Sequence, residues 1–263
     1  KYLNVAGGID TLVGTGLVQM SDTGTANFFS GGPPIYLPAI MGGRLNLNVS
    51  AGGATMRGDI SLTNALVGGP GALTVGPHTL TLGDSIPYTG SINTDSASSL
   101  VFQGGAIGYV MPSTVNHLSK LVWDRSNSLL ITAALVLHDT LRLAQGIVDN
   151  SVNLTLRSGV TTVRNSGVLM MPPVREGLNN VIYQTHGGGK LTTGVEMPST
   201  GYLGNLSINA TAADTVGLVG NIQPDGMLAI NSGVLTVDSA TLTLQQYFDN
   251  SPGLLVTDST SSL

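Results

Sequence analysis

The chain has 263 residues, 36 of them glycine and none cysteine, and a formal net charge of −5 at pH 7. Charged residues make up only 10%, against about 25% in ordinary globular domains, and ten scattered basic residues do not make the clustered basic face that nucleic acid requires. The lack of cysteine excludes disulfides and thiolate chemistry, and no run of about 18 apolar residues could cross a membrane as a helix.

Taken in chain order, the elements repeat. Residues 1–35 read as the tail of a preceding copy, with Thr11-Leu-Val-Gly-Thr-Gly-Leu-Val-Gln-Met20 inside it. Repeat 1, residues 36–109, runs from Tyr36-Leu-Pro38 through Leu45-Asn-Leu47 and Gly71-Ala-Leu-Thr-Val75 to Leu80-Thr-Leu82. Repeat 2, residues 110–195, follows the same order through Val110-Met-Pro112, Leu121-Val-Trp123, Gly146-Ile-Val-Asp149 and Leu154-Thr-Leu156. Repeat 3, residues 196–263, reads Glu196-Met-Pro198, Leu206-Ser-Ile208, Gly233-Val-Leu-Thr-Val237 and Leu242-Thr-Leu244. The interval from Pro38 to Pro112 equals that from Leu80 to Leu154. The next steps, Pro112 to Pro198 and Leu154 to Leu242, are both longer and nearly equal to each other. Independent landmarks that move together mark a repeat, and repeats mean stacking. The chain opens on Lys1-Tyr2-Leu3 without a signal-like apolar segment. It closes on Asp258-Ser-Thr-Ser-Ser-Leu263, much like Asn93-Thr-Asp-Ser-Ala-Ser-Ser-Leu100 within repeat 1. The expectation is a slice of a longer array.

Within each copy, alternation dominates. In Thr79-Leu-Thr-Leu82 and Thr241-Leu-Thr-Leu244 the leucines share one face and the threonines the other, as a period-two strand requires. Gly, Pro, Asn-Ser and Asp-Ser turns separate the runs. Even Leu129–Leu143, the best helical candidate, contains β-branched residues and aligns with strand-like segments elsewhere. The predicted fold is all-β: a parallel β-helix or β-solenoid of three long repeats, with tandem β-sandwich modules as the alternative. Trp123, the only tryptophan, stands where the other copies have Leu47 and Ile208, which predicts a core residue.

The order Leu45-Asn-Leu-Asn-Val-Ser50, Gly58-Asp-Ile-Ser-Leu62, Gly71-Ala-Leu-Thr-Val75 and His78-Thr-Leu-Thr-Leu-Gly83 resembles repeats of giant cell-surface adhesins and filament proteins of Bacteroidetes. The resemblance covers roughly residues 36–263. It implies export by the type IX secretion route, an extracellular place at the bacterial cell surface, and a structural or adhesive role. It implies no catalytic residues and no cofactor.

The residues themselves nominate little chemistry. His186-Gly-Gly-Gly189 lacks the Gly-x-Ser-x-Gly partner of a hydrolase. Thirteen Asp and two Glu are dispersed, whereas β-helix lyases and hydrolases need clustered carboxylates. The histidines at 78, 117, 138 and 186 have no local partner at metal-binding spacing, so no metal ligand is assigned. Gly7-Gly-Ile-Asp10 is an isolated fragment of a calcium-binding repeat that works only in tandem. The copies disagree most over 172–195, read as an inserted loop, and loops on rigid scaffolds commonly carry recognition. Arg175, Glu176, Tyr183, His186 and Lys190 are its candidate interaction residues. The function expected is therefore a non-enzymatic surface fibre that associates with itself, with polysaccharide or with other cells. A carbohydrate-active β-helix enzyme and a phage tail-spike-like protein are the alternatives.

Overall fold

The computed structural model describes residues 2–6, 16–32, 34–50, 52–105, 108–151, 153–185, 187–198 and 201–262, with Tyr2–Ala6 described as backbone only. Among these there is no helix, and about half of the chain is strand, stacked in parallel as a β-solenoid of about twelve coils. The longest sheet follows a path of twelve strands, one per coil, and three four-stranded sheets cover other faces. At roughly 4.8 Å per coil the stack is about 50 Å long. The predicted solenoid is the observed one, and the run Leu129–Leu143 lies in the strands His117–Leu130 and Leu135–Asp149, apart from the short turn between them.

Each coil exists because its strands alternate. Leu80 and Leu82 are buried while Thr79 and Thr81 face outward, and the parallel register places like on like. One inward column of the long sheet reads Ile40, Ile60, Leu80, Leu100, Leu121, Leu141, Thr162, Val181, Leu206 and Leu228. The column beside it reads Leu62, Leu82, Phe102, Trp123, Leu143, Arg164, Tyr183, Ile208 and Ile230. Trp123 is fully buried, as its position predicts, and its indole N–H donates to Asn127 O at 2.9 Å. Each Leu or Ile in these columns contributes about 1.5–3 kcal/mol by leaving water. Outside, asparagines hydrogen-bond from coil to coil, Asn46 to Asn27 at 2.9 Å and Asn231 to Asn209 at 2.6 Å.

The unit of the fold is one coil, and its length varies. Within the first inward column the step from Thr162 to Val181 is the shortest and that from Val181 to Leu206 the longest. Leu121 and Leu206, and likewise Trp123 and Ile208, share columns four coils apart. Leu45-Asn-Leu47 belongs instead to a four-stranded sheet with Thr25–Ser30 and Leu66–Gly68. The offset between the first two sequence copies is not a whole number of coils, so it carries a similar motif to a different face. Thr241-Leu-Thr-Leu244 makes only isolated bridges: Leu242 is buried, but Leu244 is 38% exposed.

The apolar interior divides into two clusters, one from Ala26 to Leu169 and one from Val181 to Leu242. At the junction the ladders lapse. Thr162 and Arg164 occupy both inward positions of the coil between Leu141/Leu143 and Val181/Tyr183.

Candidate functional site

The residues that follow the strands of the long sheet form a polar groove along the solenoid. One stretch, about 590 Å³, is lined by Thr63, Asn64, Gly83, Asp84, Gln103, Gly104, Gly105 and Asp124. A second, about 340 Å³, shares Asp124 and continues past Arg142 and Gln145 to Asn165, Ser166 and Thr185. Successive coils supply successive residues, so polar side chains recur along the groove over seven coils, with Ala144 among them. Its walls are tied together across coils. Gln145 donates to Asp124 Oδ1 at 3.0 Å, Asn165 to Thr185 O at 2.8 Å, and Ser166 to Ala144 O at 3.1 Å. Gly104 and Gly105, at φ +61° and +64°, keep the middle of the floor free of side chains. A Cβ on Gly105 would meet Asp84 Oδ1 at 3.3 Å.

Arg125 lies beneath this floor, buried, with its guanidinium 5.8 Å from the rings of both Phe102 and Trp123. One of its nitrogens donates to Leu82 O at 2.9 Å. Burial lowers its pKa, and the nearby Asp84 pulls it back up. A fixed positive charge therefore sits under a groove whose own side chains include two carboxylates and one exposed guanidinium, that of Arg142.

Of the five predicted interaction residues, the four that are described do not gather into one surface. The described part of 172–195 is wall rather than a projecting loop. Val174–Arg175 pairs with Thr155 and Leu156, Asn179–Gln184 lies between Thr161–Arg164 and Leu203–Asn209, and Gly189–Thr192 pairs with Asp214–Gly217. Tyr183 is a correction: it is fully buried, because its position in the strand falls on the inward column. Its hydroxyl donates to Glu196 Oε1 at 2.6 Å. Arg175 is half-buried and donates to the carbonyls of Glu196 at 2.7 Å and Val195 at 3.4 Å. Glu176 is exposed and ion-paired with Arg157 at 2.5 Å. Lys190 pairs with Asp238, which follows Val234–Val237 two strands away in the same four-stranded sheet. His186 and Gly7–Asp10 lie outside the described residues.

Two clusters were not visible to local spacing. Inside, Arg164 and Glu196 form a buried ion pair. Glu196 Oε1 also accepts from Gly194 N at 2.8 Å, and Arg164 Nε donates to Gly167 O at 2.8 Å. Burial, with the Glu196 carboxylate beside it, pushes the Tyr183 hydroxyl well above the ordinary phenol range. Outside, His117 Nδ1 and His138 Nε2 approach to 3.2 Å. Burial, with His117 and Arg157 adding to it, lowers the His138 pKa against the pull of Glu176. The signal that could have found this pair is a sequence separation equal to one coil.

No protein-family model matches the chain, and neither a curated protein nor a solved structure is significantly similar to it.

Proposed function

We propose that the chain is part of a structural, adhesive surface protein of a bacterial cell, a non-enzymatic rod whose axial groove holds an extended polysaccharide. The observation that carries this reading is the groove itself. Its hydroxyl, amide and carboxylate groups recur at the coil step over seven coils, the arrangement that suits a ligand that is itself a repeating, hydroxyl-rich chain. A surface poor in charge lets neutral glycans or sister rods approach without repulsion. Export by the type IX route and lateral self-association belong to the same proposal, on the resemblance and the composition. Because Gln145, Asn165 and Ser166 are already held by hydrogen bonds between coils, that part of the groove needs little ordering to receive a ligand, which favours retention of a long chain over tight binding of a short one.

The test is binding of the chain to a panel of neutral and acidic polysaccharides by affinity electrophoresis, with Asn165→Ala and Gln103→Ala as groove variants. Retardation by at least one polysaccharide, reduced in both variants, supports the reading. Equal mobility in every gel overturns it. One observation favours a second reading: Asp84 and Asp124 line the same cleft, two coils apart, or roughly 10 Å along the axis. This is near the wide end of the separation used by inverting glycosidases. Release of reducing or unsaturated sugar ends by the chain, lost in Asp84→Asn or Asp124→Asn, would establish that reading in place of the first.

A further inference from the structure

We infer that His117 and His138 form a binding site for a borderline divalent transition-metal cation, zinc being the natural probe, on the outer wall of the solenoid. The two residues flank the paired leucines Leu118 and Leu137, which are fully buried. Alternation therefore turns both imidazoles outward. His117 is registered with Val136, so His138 is its diagonal neighbour on the next coil, a relation within reach of long side chains. The strands that carry them are the two longest among the described residues, and each imidazole is anchored by a core leucine next to it in sequence.

The ring nitrogens are 3.2 Å apart, with ring centroids at 5.5 Å and planes tilted by 40°. Two nitrogens bound at about 2.0–2.1 Å to one tetrahedral zinc lie about 3.3–3.4 Å apart. The pair therefore already has the spacing of two zinc ligands. The nitrogens face one another across a hydrogen bond. A turn about χ2, a broad torsion in histidine, brings both lone pairs onto a common point on the solvent side. The protons balance: the donor ring gives up its bridging N–H proton and takes one at its far nitrogen, so a neutral pair binds the cation with no net proton release. Imidazole donors select zinc, nickel and copper over calcium and magnesium. Among the described residues no group of three or more such ligands converges, so water completes the coordination and the site stays open. The nearest charges in the column, Arg157 and Glu176, are paired with each other and so leave little net repulsion against a cation.

The experiment is a zinc titration of the full chain at neutral pH, followed by NMR of the imidazole signals. The expected result is that the ring signals of His117 and His138 move together and saturate at one equivalent, while His78 stays unmoved and magnesium moves none. His117→Ala and His138→Ala should each weaken binding at least tenfold, with His78→Ala at the parent affinity. His138→Gln, which keeps a polar side chain on the wall, secures the result if an alanine variant loses its circular dichroism spectrum. No shift up to millimolar zinc, shifts centred on another histidine, or unchanged affinity in the His117 and His138 variants would overturn the site.

Discussion

Replacing Arg164 by leucine should cost far more than its place in an apolar column suggests. The Glu196 side chain is fully buried and that of Arg164 is 6% exposed, so removing the guanidinium leaves a carboxylate hydrogen-bonded by the Tyr183 hydroxyl and the Gly194 amide, with the Arg175 charge nearby but not paired to it. Its second oxygen, Oε2, has no hydrogen-bond partner even with Arg164 in place. Breaking a buried pair from one side costs about 3–5 kcal/mol, a large share of the roughly 5–15 kcal/mol that holds an ordinary domain together. The triple change Arg164→Leu, Glu196→Leu, Tyr183→Phe removes the buried ion pair and the hydroxyl that would be orphaned with it, leaving Arg175 on its backbone carbonyls. It should return to the parent stability or exceed it by about 1–4 kcal/mol, as apolar replacement of buried pairs does elsewhere. The assay is equilibrium urea unfolding, followed by Trp123 fluorescence for the first core cluster and by far-UV circular dichroism for the whole stack. Because each coil touches only its neighbours, the Arg164→Leu transitions seen by the two probes should separate. A cost below about 1 kcal/mol for Arg164→Leu, in the range of an exposed pair, would refute the reasoning, as would a triple variant no more stable than the single one.

Three further outcomes concern the turns, the core and the buried phenols. Gly146 has φ +69°, and a Cβ there would collide with the carbonyl oxygens of Arg125 and Asn127; Gly146→Ala should destabilise by more than the roughly 1 kcal/mol of an ordinary glycine replacement, seen as a lower urea midpoint. Trp123→Ala, in the column between Phe102 and Leu143, should cost about 3–5 kcal/mol, and parent fluorescence should be blue-shifted until unfolding. Tyr88 and Tyr109 are pushed by burial to about 12, and Tyr183 well above 10. Since these folded values exceed the unfolded one, their contribution to stability is intact below pH 10 and is lost as pH rises through the folded values, about 12 for Tyr88 and Tyr109. Phenolate absorbance should show these three of the seven tyrosines lagging the rest. Ionisation of all seven together near pH 10 while circular dichroism remains native would contradict the burial.

Strand, solenoid and core tryptophan were legible in the sequence because alternation is a local, period-two property that survives any stacking. The polar groove was only partly legible. Asp84 and Asp124 look dispersed along the chain, and only their two-coil separation brings them to one cleft. The 172–195 segment misled for a related reason. It carries the longest coil, so its copies align poorly, yet Asn179–Gln184 keeps strict alternation and Tyr183 sits on the inward phase.

What the sequence alone determined about this protein is its period-two chemistry: which side chains seek the interior, where glycine permits a turn, and how little charge the surface carries. The tertiary structure decided who meets whom. The coil varies in length, shorter from Thr162 to Val181 than from Val181 to Leu206, and this hides the register from any fixed offset. Yet that register puts Arg164 against Tyr183 and Glu196, His117 against His138, and the groove residues in line. These contacts join residues about one to two coils apart in sequence, and parallel stacking at one coil step is the physical reason that such distances vanish in space.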